Sequence, residues 1–319
     1  MTNGHLWTDA AVLAHAQAAL RQGSKSFAAA ARLLPAPARD SAVMLYAWCR
    51  HCDDVIDGQD LGHGLAPLAG DAAELALQSL QDETRAAFGH GRLTHPAFAA
   101  LRLVARQHAL PMSQPMAHLE GFRMDAVGQR YETLDDTLQY CYHVAGVVGI
   151  MMARIMGVRD AAVLARACDL GIGFQLTNIA RDVIEDAEGG RVYLPAQWLA
   201  EAGVPAEAAD VADPAHRAAV HRLAVRLLDV AEGYYASADT GIAALPGRCA
   251  LAIATARRVY HAIGTAVRAR GAAAWDTRVS TTSAQKLGHV AGAGWLAWAV
   301  RHRAPAPRPP APWEARAGL

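Results

Sequence analysis

The stretch Asn178-Ile179-Ala180-Arg181-Asp182-Val183-Ile184-Glu185-Asp186 sets an amide and two carboxylates at intervals of four. On an α-helix a step of four turns about 400°, so Asn178, Asp182 and Asp186 form one stripe that climbs about 6 Å per step. Oxygen ligands stacked among apolar neighbours repel one another unless a cation sits among them. A purely oxygen donor set suits Mg²⁺, which keeps some of its waters and commonly binds phosphate as well. Arg181 lies beside the stripe, within reach of a diphosphate oxygen. Upstream, Asp53-Asp54-Val55-Ile56-Asp57 repeats the spacing in Asp53 and Asp57. Two such ladders facing each other across a cavity would hold a metal–diphosphate cluster between them.

One Asp-xxx-Asp alone is usually a solvated helix face. Here both clusters follow strongly apolar sequence, Met44 to Trp48 and Leu170 to Ile179. Acids in such surroundings are seldom left unpaired. At 319 residues and 53% apolar the chain can bury a large core. Lys+Arg equals Asp+Glu at 30 each, and this zero net charge gives no electrostatic case for nucleic acid or an anionic membrane. Neither a signal peptide nor an apolar run of membrane-spanning length is evident, and a cytoplasmic location is expected. The five scattered cysteines, including Cys49-Arg-His-Cys52, suggest neither a disulfide framework nor a zinc site.

The apolar spacing is helical throughout, with no convincing strand. It predicts helices at about 8–23, 24–34, 38–57, 71–88, 96–109, 115–127, 133–156, 160–187, 196–202, 214–238, 248–269 and 283–301. The segment Asp60–Gly70 reads as a loop and Arg191–Pro195 as an extended return. Ala145-Gly146 and Gly149 leave room for close helix packing or a ligand. Residues 8–302 read as one all-α domain, followed by a Pro-rich disordered tail over 303–319.

Four segments now line up with a known family. Ser24-Lys25-Ser26-Phe27; Tyr46-Ala-Trp-Cys-Arg50-His-Cys-Asp53-Asp54-Val-Ile-Asp57; Tyr140-Cys-Tyr-His-Val144-Ala-Gly-Val-Val-Gly149; and Leu170-Gly-Ile-Gly-Phe-Gln175-Leu-Thr-Asn178-Ile-Ala-Arg181-Asp182, continuing to Arg191-Val-Tyr193-Leu-Pro195, resemble the motifs of squalene and phytoene synthases. The N-terminal wording is most like the bacterial phytoene synthases. The resemblance covers roughly residues 10–300. It implies a single-domain isoprenoid-synthase (terpene synthase-like) helical bundle around a central cavity, and head-to-head condensation of two prenyl diphosphates.

It further implies Mg²⁺ or Mn²⁺ held by Asp53 and Asp57 on one wall and Asn178, Asp182 and Asp186 on the other. Asp54 would orient a ligand or a metal-bound water. Arg50 and Arg181 are assigned to diphosphate contact, with Gln175 and Tyr46 facing the same cavity. Ser24 and Ser26, with Lys25 between them, offer hydroxyls either to a diphosphate or to a helix cap. Tyr140 and Tyr260 offer a phenol to the leaving group or a ring face to a cation. The expected substrate is geranylgeranyl diphosphate, with farnesyl diphosphate (a squalene-type reaction) as the alternative. No NADPH is expected. The greasy substrate and product are compatible with peripheral membrane contact, although no single basic amphipathic helix announces it. Terpene cyclases share the Asn-xxx-Asp-xxx-Asp spacing but not the Ser-Lys-Ser or Tyr-Cys segments. An assembly factor without catalysis is disfavoured by the two intact acidic motifs. Ala31 lies four residues after Phe27, either leaving room for a twenty-carbon tail or merely letting two helices pack closely.

Overall fold

The computed structural model describes residues 7–23, 25–58, 70–277 and 283–316, and within these not the side chains of 25, 26, 29, 283–287, 289–291, 315 and 316. In chain order the helices are α1 (Asp9–Gly23), α2 (Lys25–Ala31), α3 (Ala36–Asp57), α4 (Asp71–Phe88), α5 (Pro96–His108), α6 (Ser113–Ala126) and α7 (Leu134–Cys141). A π-helical turn, Tyr142–Gly146, leads into α8 (Val147–Ile155). Then come α9 (Ala161–Glu188), α10 (Ala196–Glu201), α11 (Ala208–Ala212), α12 (Arg217–Ala243), α13 (Gly247–Arg270), α14 (Ser283–Ala299) and α15 (Pro312–Arg316). No strand occurs among the described residues.

Local chemistry sets the boundaries. Thr8 Oγ1 accepts from the Ala11 amide at 3.2 Å and starts α1. Gly58, at φ 59°, closes α3 in the left-handed conformation that glycine adopts without strain. Thr133 and Asp136 form a reciprocal capping box that starts α7. The single helix expected over 133–156 is interrupted by the π-turn, and α11 is an element the sequence pattern does not announce. Of the predicted loop at 60–70, residues 60–69 lie outside the described ones, and Gly70 directly precedes α4.

Three apolar clusters build the core. The first joins α9 and α12, and the second packs α1 and α3 against α4, α5 and α6. The third brings Leu34 together with Met156, Leu164, Ile242, Leu245, Ala252 and Leu296. A cavity of roughly 460 Å³ lies between α2, the π-turn, α8, α9, α12 and α13. Its walls meet through glycines. A Cβ on Gly171 would stand 2.3 Å from the Ala145 carbonyl oxygen, and one on Gly149 would stand 2.3 Å from that of Ala167. The room expected at Gly149 is thus used for helix packing, while Ala145 and Gly149 also line the cavity.

The Pro-rich tail is not disordered over residues 303–316, which corrects the compositional expectation. Arg308 donates to both carboxylate oxygens of the fully buried Asp169, at 2.9 and 2.8 Å. Arg166 donates to the Ala306 carbonyl at 2.6 Å, and Tyr234 to that of Pro310 at 2.8 Å. Trp313 is buried and stacks on Tyr142, with centroids 5.7 Å apart. A buried carboxylate requires a partner, and the tail supplies it. Residues 317–319 lie outside the described residues. The five cysteines are free, as the sequence reading expected, and all but Cys49 are buried.

Candidate active site

α9 runs through the centre of the molecule and brings its stripe to the cavity. Val163, Arg166, Leu170, Gln175 and Asn178 all line it, a stretch of about 22 Å along the helix axis. The far part of the wall is almost wholly apolar, from Leu33, Leu34, Met152, Met156 and Leu245. The near part is polar. Asn178 Nδ2 lies 3.4 Å from Gln175 Oε1, and the Tyr260 phenol lies by the Asn178 amide. Asn178 Oδ1 is buried without a donor among the described residues. Phe174 stacks on Tyr260 at 4.1 Å and fixes that ring.

Beyond the cavity lining the α9 stripe continues through Asp182 and Asp186. Arg181 forms an ion pair with Asp182, its Nε donating at 2.7 Å. Asp186 has no cation in ion-pair contact among the described residues; burial, and then Asp182, push it up to about 8. On α3, Arg50 pairs with Asp53 at 2.9 Å and with Asp54 at 3.0 Å. Burial, and then Asp57, raise Asp53 to about 6. Carboxylates that lift one another in this way want a cation.

The two ladders share one counter-charge. Arg191, from the extended segment after α9, donates to Asp57 Oδ1 at 2.6 Å. Its charge also acts on Asp53, Asp125 and Asp186. The acids of α3 and α9 therefore flank the same guanidinium. Among the described residues no three His, Cys, Asp or Glu side chains already stand close enough to ligate one ion. The oxygen-only donors, the uncapped Asn178 Oδ1 and the mutually raised carboxyls nevertheless fit a hard divalent cation.

Other predicted positions divide. Tyr46 stacks on Phe27 at 5.3 Å, and its phenol fills the space in which a Gly23 Cβ would sit. Phe27 and Ala31 both line the cavity. Tyr140 is buried away from the cavity lining and donates to Asp125 Oδ2 at 3.0 Å. Ser24 lies outside the described residues, as do the side chains of Lys25 and Ser26.

Sequence reasoning missed Asp125 and left Arg191 and Tyr193 without a role. Asp125 accepts from Tyr140 and, at 2.9 Å, from Tyr193, and the two phenol rings stack at 4.6 Å. Burial raises Asp125 to about 6, opposed by Arg191 and the two phenols. Asp125 shares α6 with Glu120, five residues earlier and paired with Arg123, so no helical spacing marks it.

The squalene/phytoene synthase family model matches residues 20–285 of this chain. The chain belongs to that family. It is 52% identical over 303 residues to the 15-cis-phytoene synthase of Pantoea ananas, covering 95% of this chain and 97% of the relative. It is 55% identical over 278 residues to the 15-cis-phytoene synthase of a Paracoccus species, covering 87% and 89%. Among solved structures, a ligand-bound dehydrosqualene synthase superposes with a TM-score of 0.78 at 26% identity, over 90% of this chain and 97% of that one. Members of the family are prenyltransferase-type enzymes, and the isoprenoid-synthase architecture is shared. Among the described residues no helix is long and apolar enough to cross a membrane.

Proposed function

We propose that this chain condenses two molecules of geranylgeranyl diphosphate head to head, through a cyclopropylcarbinyl diphosphate, to phytoene. The observation that carries the proposal is the cavity: a long apolar wall that ends at Gln175, Asn178 and Tyr260, from which the acidic stripe continues to Asp182 and Asp186. Such a compartment holds prenyl tails in its apolar part and the diphosphates at its acidic end. Relatives at 52% and 55% identity are named 15-cis-phytoene synthases, which favours the twenty-carbon substrate over farnesyl diphosphate.

The acidic residues fit Mg²⁺ or Mn²⁺, with Asp53 and Asp57 on one side and Asn178, Asp182 and Asp186 on the other. When bound, the metal would supply Lewis-acid stabilisation to the departing pyrophosphate. Arg50, Arg181 and Arg191 add fixed positive charge where the leaving group gains its negative charge. The apolar wall keeps water from the carbocation until it rearranges. Phe174 and Tyr260, stacked at the cavity edge, offer π-faces to that cation. The reaction ends by proton loss, so no reductant is needed. The enzyme would work in the cytoplasm in peripheral contact with a membrane, because substrate tails and product are apolar.

Purified protein incubated with Mg²⁺ and either prenyl diphosphate tests the assignment by product identity. Phytoene formed without NADPH is the expected result. A thirty-carbon product, or one that incorporates hydrogen from NADPH, moves the chain to the squalene side.

A further inference from the structure

The zero net charge conceals a segregation. From Gly241 to Pro312 the chain carries ten Arg or Lys and one acid, Asp276, which leaves the remainder with 20 cations and 29 acids. This basic stretch contains α13, α14 and the start of the tail. Everything after residue 285 also lies beyond the family match.

α14 is two-faced. Ala293 and Leu296, with Val300 just past its end, pack into the cluster that includes Leu34, Leu164 and Leu245. Trp295 and Trp298, three residues apart, turn outward with 59% and 61% of their surface exposed. The other large exposed apolar side chains among the described residues, Leu75, Met112 and Val127, each stand alone on other parts of the molecule. A guanidinium and an imidazole ring flank the tryptophans. The Arg303 guanidinium lies 5.9 Å from the Trp295 ring centroid, and the His302 ring 4.8 Å from that of Trp298. Arg248, Arg301 and Arg303 are exposed, and none forms an ion pair among the described residues; Arg301 donates to the Leu245 carbonyl at 3.2 Å, and the Arg303 charge also reaches Asp239.

We infer that this face of α14, with Arg301 and Arg303, docks on an anionic lipid bilayer. The inference rests on the prenyl-diphosphate reading of the cavity and assigns its membrane contact to one surface. Tryptophan rings with flanking cations suit the headgroup level of a bilayer, where the ring is half-immersed and the guanidinium meets phosphate. Position favours a bilayer over nucleic acid. The inner face of α14 packs beside Leu34 and Leu245, which line the apolar part of the cavity. Leu164, in the same cluster, is 14 residues from Asn178 along α9, about 21 Å. The docking face thus backs onto the hydrocarbon end of the site, and the diphosphate end lies away from it. A product without a polar group then has a short path into lipid.

Flotation of the full-length chain with vesicles tests the inference. The vesicles are phosphatidylcholine alone, or phosphatidylcholine with an equal part of phosphatidylglycerol. Binding is expected on the anionic vesicles, with a blue shift of tryptophan emission and loss at high salt. The Trp295→Ser/Trp298→Ser variant should bind roughly tenfold more weakly or worse. Arg301→Gln/Arg303→Gln should bind roughly thirtyfold more weakly, at about fivefold per cation. Both variants should keep wild-type turnover of detergent-dispersed substrate. Equal binding to both vesicle types, wild-type flotation of the tryptophan variant, or capture by RNA in preference to vesicles overturns the inference. Turnover is read separately, so an inactive wild type that still floats refutes the catalytic reading and not the docking face.

Discussion

Replacing Arg308 by alanine should destabilise the protein far more than a change in a Pro-rich tail ordinarily would. Asp169 is fully buried within α9, and its two bonds to Arg308 span 139 residues of chain. Without Arg308 the carboxylate keeps the hydroxyl of Ser237, which donates to it, and no cation in contact. Removing one partner of a buried ion pair costs about 3–5 kcal/mol. Two features place this pair near the lower figure. The Arg308 side chain is 24% exposed, so part of the attraction is already screened. Arg166 donates to Ser237 Oγ at 2.9 Å and stands one hydroxyl away from Asp169. A loss of about 3 kcal/mol is a large share of the roughly 5–15 kcal/mol that holds a typical domain together. Urea unfolding followed by circular dichroism measures it, and a cycle with Asp169→Asn identifies its source. In the Asp169→Asn background Arg308→Ala should cost only about 1 kcal/mol, since a neutral amide needs no cation. Arg308→Lys should fall between, keeping the charge but losing the two-pronged geometry. If Arg308→Ala costs the same in both backgrounds, the pair with Asp169 is incidental and Arg308 acts within the tail through Glu314, which its Nη1 reaches at 2.8 Å.

Three further outcomes are expected. Ala31→Phe places a ring in the cavity beside Phe27 and should slow geranylgeranyl diphosphate ten- to a hundredfold more than farnesyl diphosphate, at about 1–3 kcal/mol for excess volume; equal losses in a competition assay make Ala31 a packing residue. Asp182→Asn should remove most turnover with an unchanged circular dichroism spectrum, and EDTA should abolish wild-type activity until Mg²⁺ is restored; surviving activity in either case sinks the metal assignment. His118 is buried, with Nδ1 on the His143 carbonyl at 3.0 Å, and burial lowers it to about 4. Because the unfolded chain binds that proton near pH 6.5, stability should fall between pH 6.5 and 4 by roughly 3 kcal/mol from this ring, and should be fully present above 6.5. His118→Gln should flatten that acid arm of the urea midpoint, and an unaltered arm rules His118 out as its source.

The sequence made the helices legible because each buries one face, and spacing records a face. Gly58 and Thr8 marked ends through their own backbone chemistry. The acidic stripes were legible for the same reason: a spacing of four is a statement about one side of a helix. What escaped depended on distant partners. Pro305 to Pro312 has the composition of a disordered segment, and nothing nearby reveals that Asp169 is waiting for Arg308. Asp125 has no acidic neighbour at helical spacing, so its role with Tyr140 and Tyr193 appears only when α6, α7 and the return segment meet. Net charge misled in another way, because a sum over the whole chain erases the concentration of cations after Gly241. α11, at five residues, is too short for periodicity to register.

The π-turn at Tyr142–Gly146 shows how the shape of the cavity is encoded. A π-turn adds a residue to a helix, and an added residue rotates all that follows by about 100° and advances it 1.5 Å. Val148, Gly149, Met152 and Ala153 line the cavity in the register that follows this offset. An unbroken α-helix continued from α7 would present a different set. The wall can therefore be altered in two unequal ways. Exchanging one side chain for another changes its depth at a point. Deleting a single residue from the turn would swing the whole of α8 round, carry Gly149 away from the Ala167 carbonyl, and offer the substrate another surface made from the same amino acids.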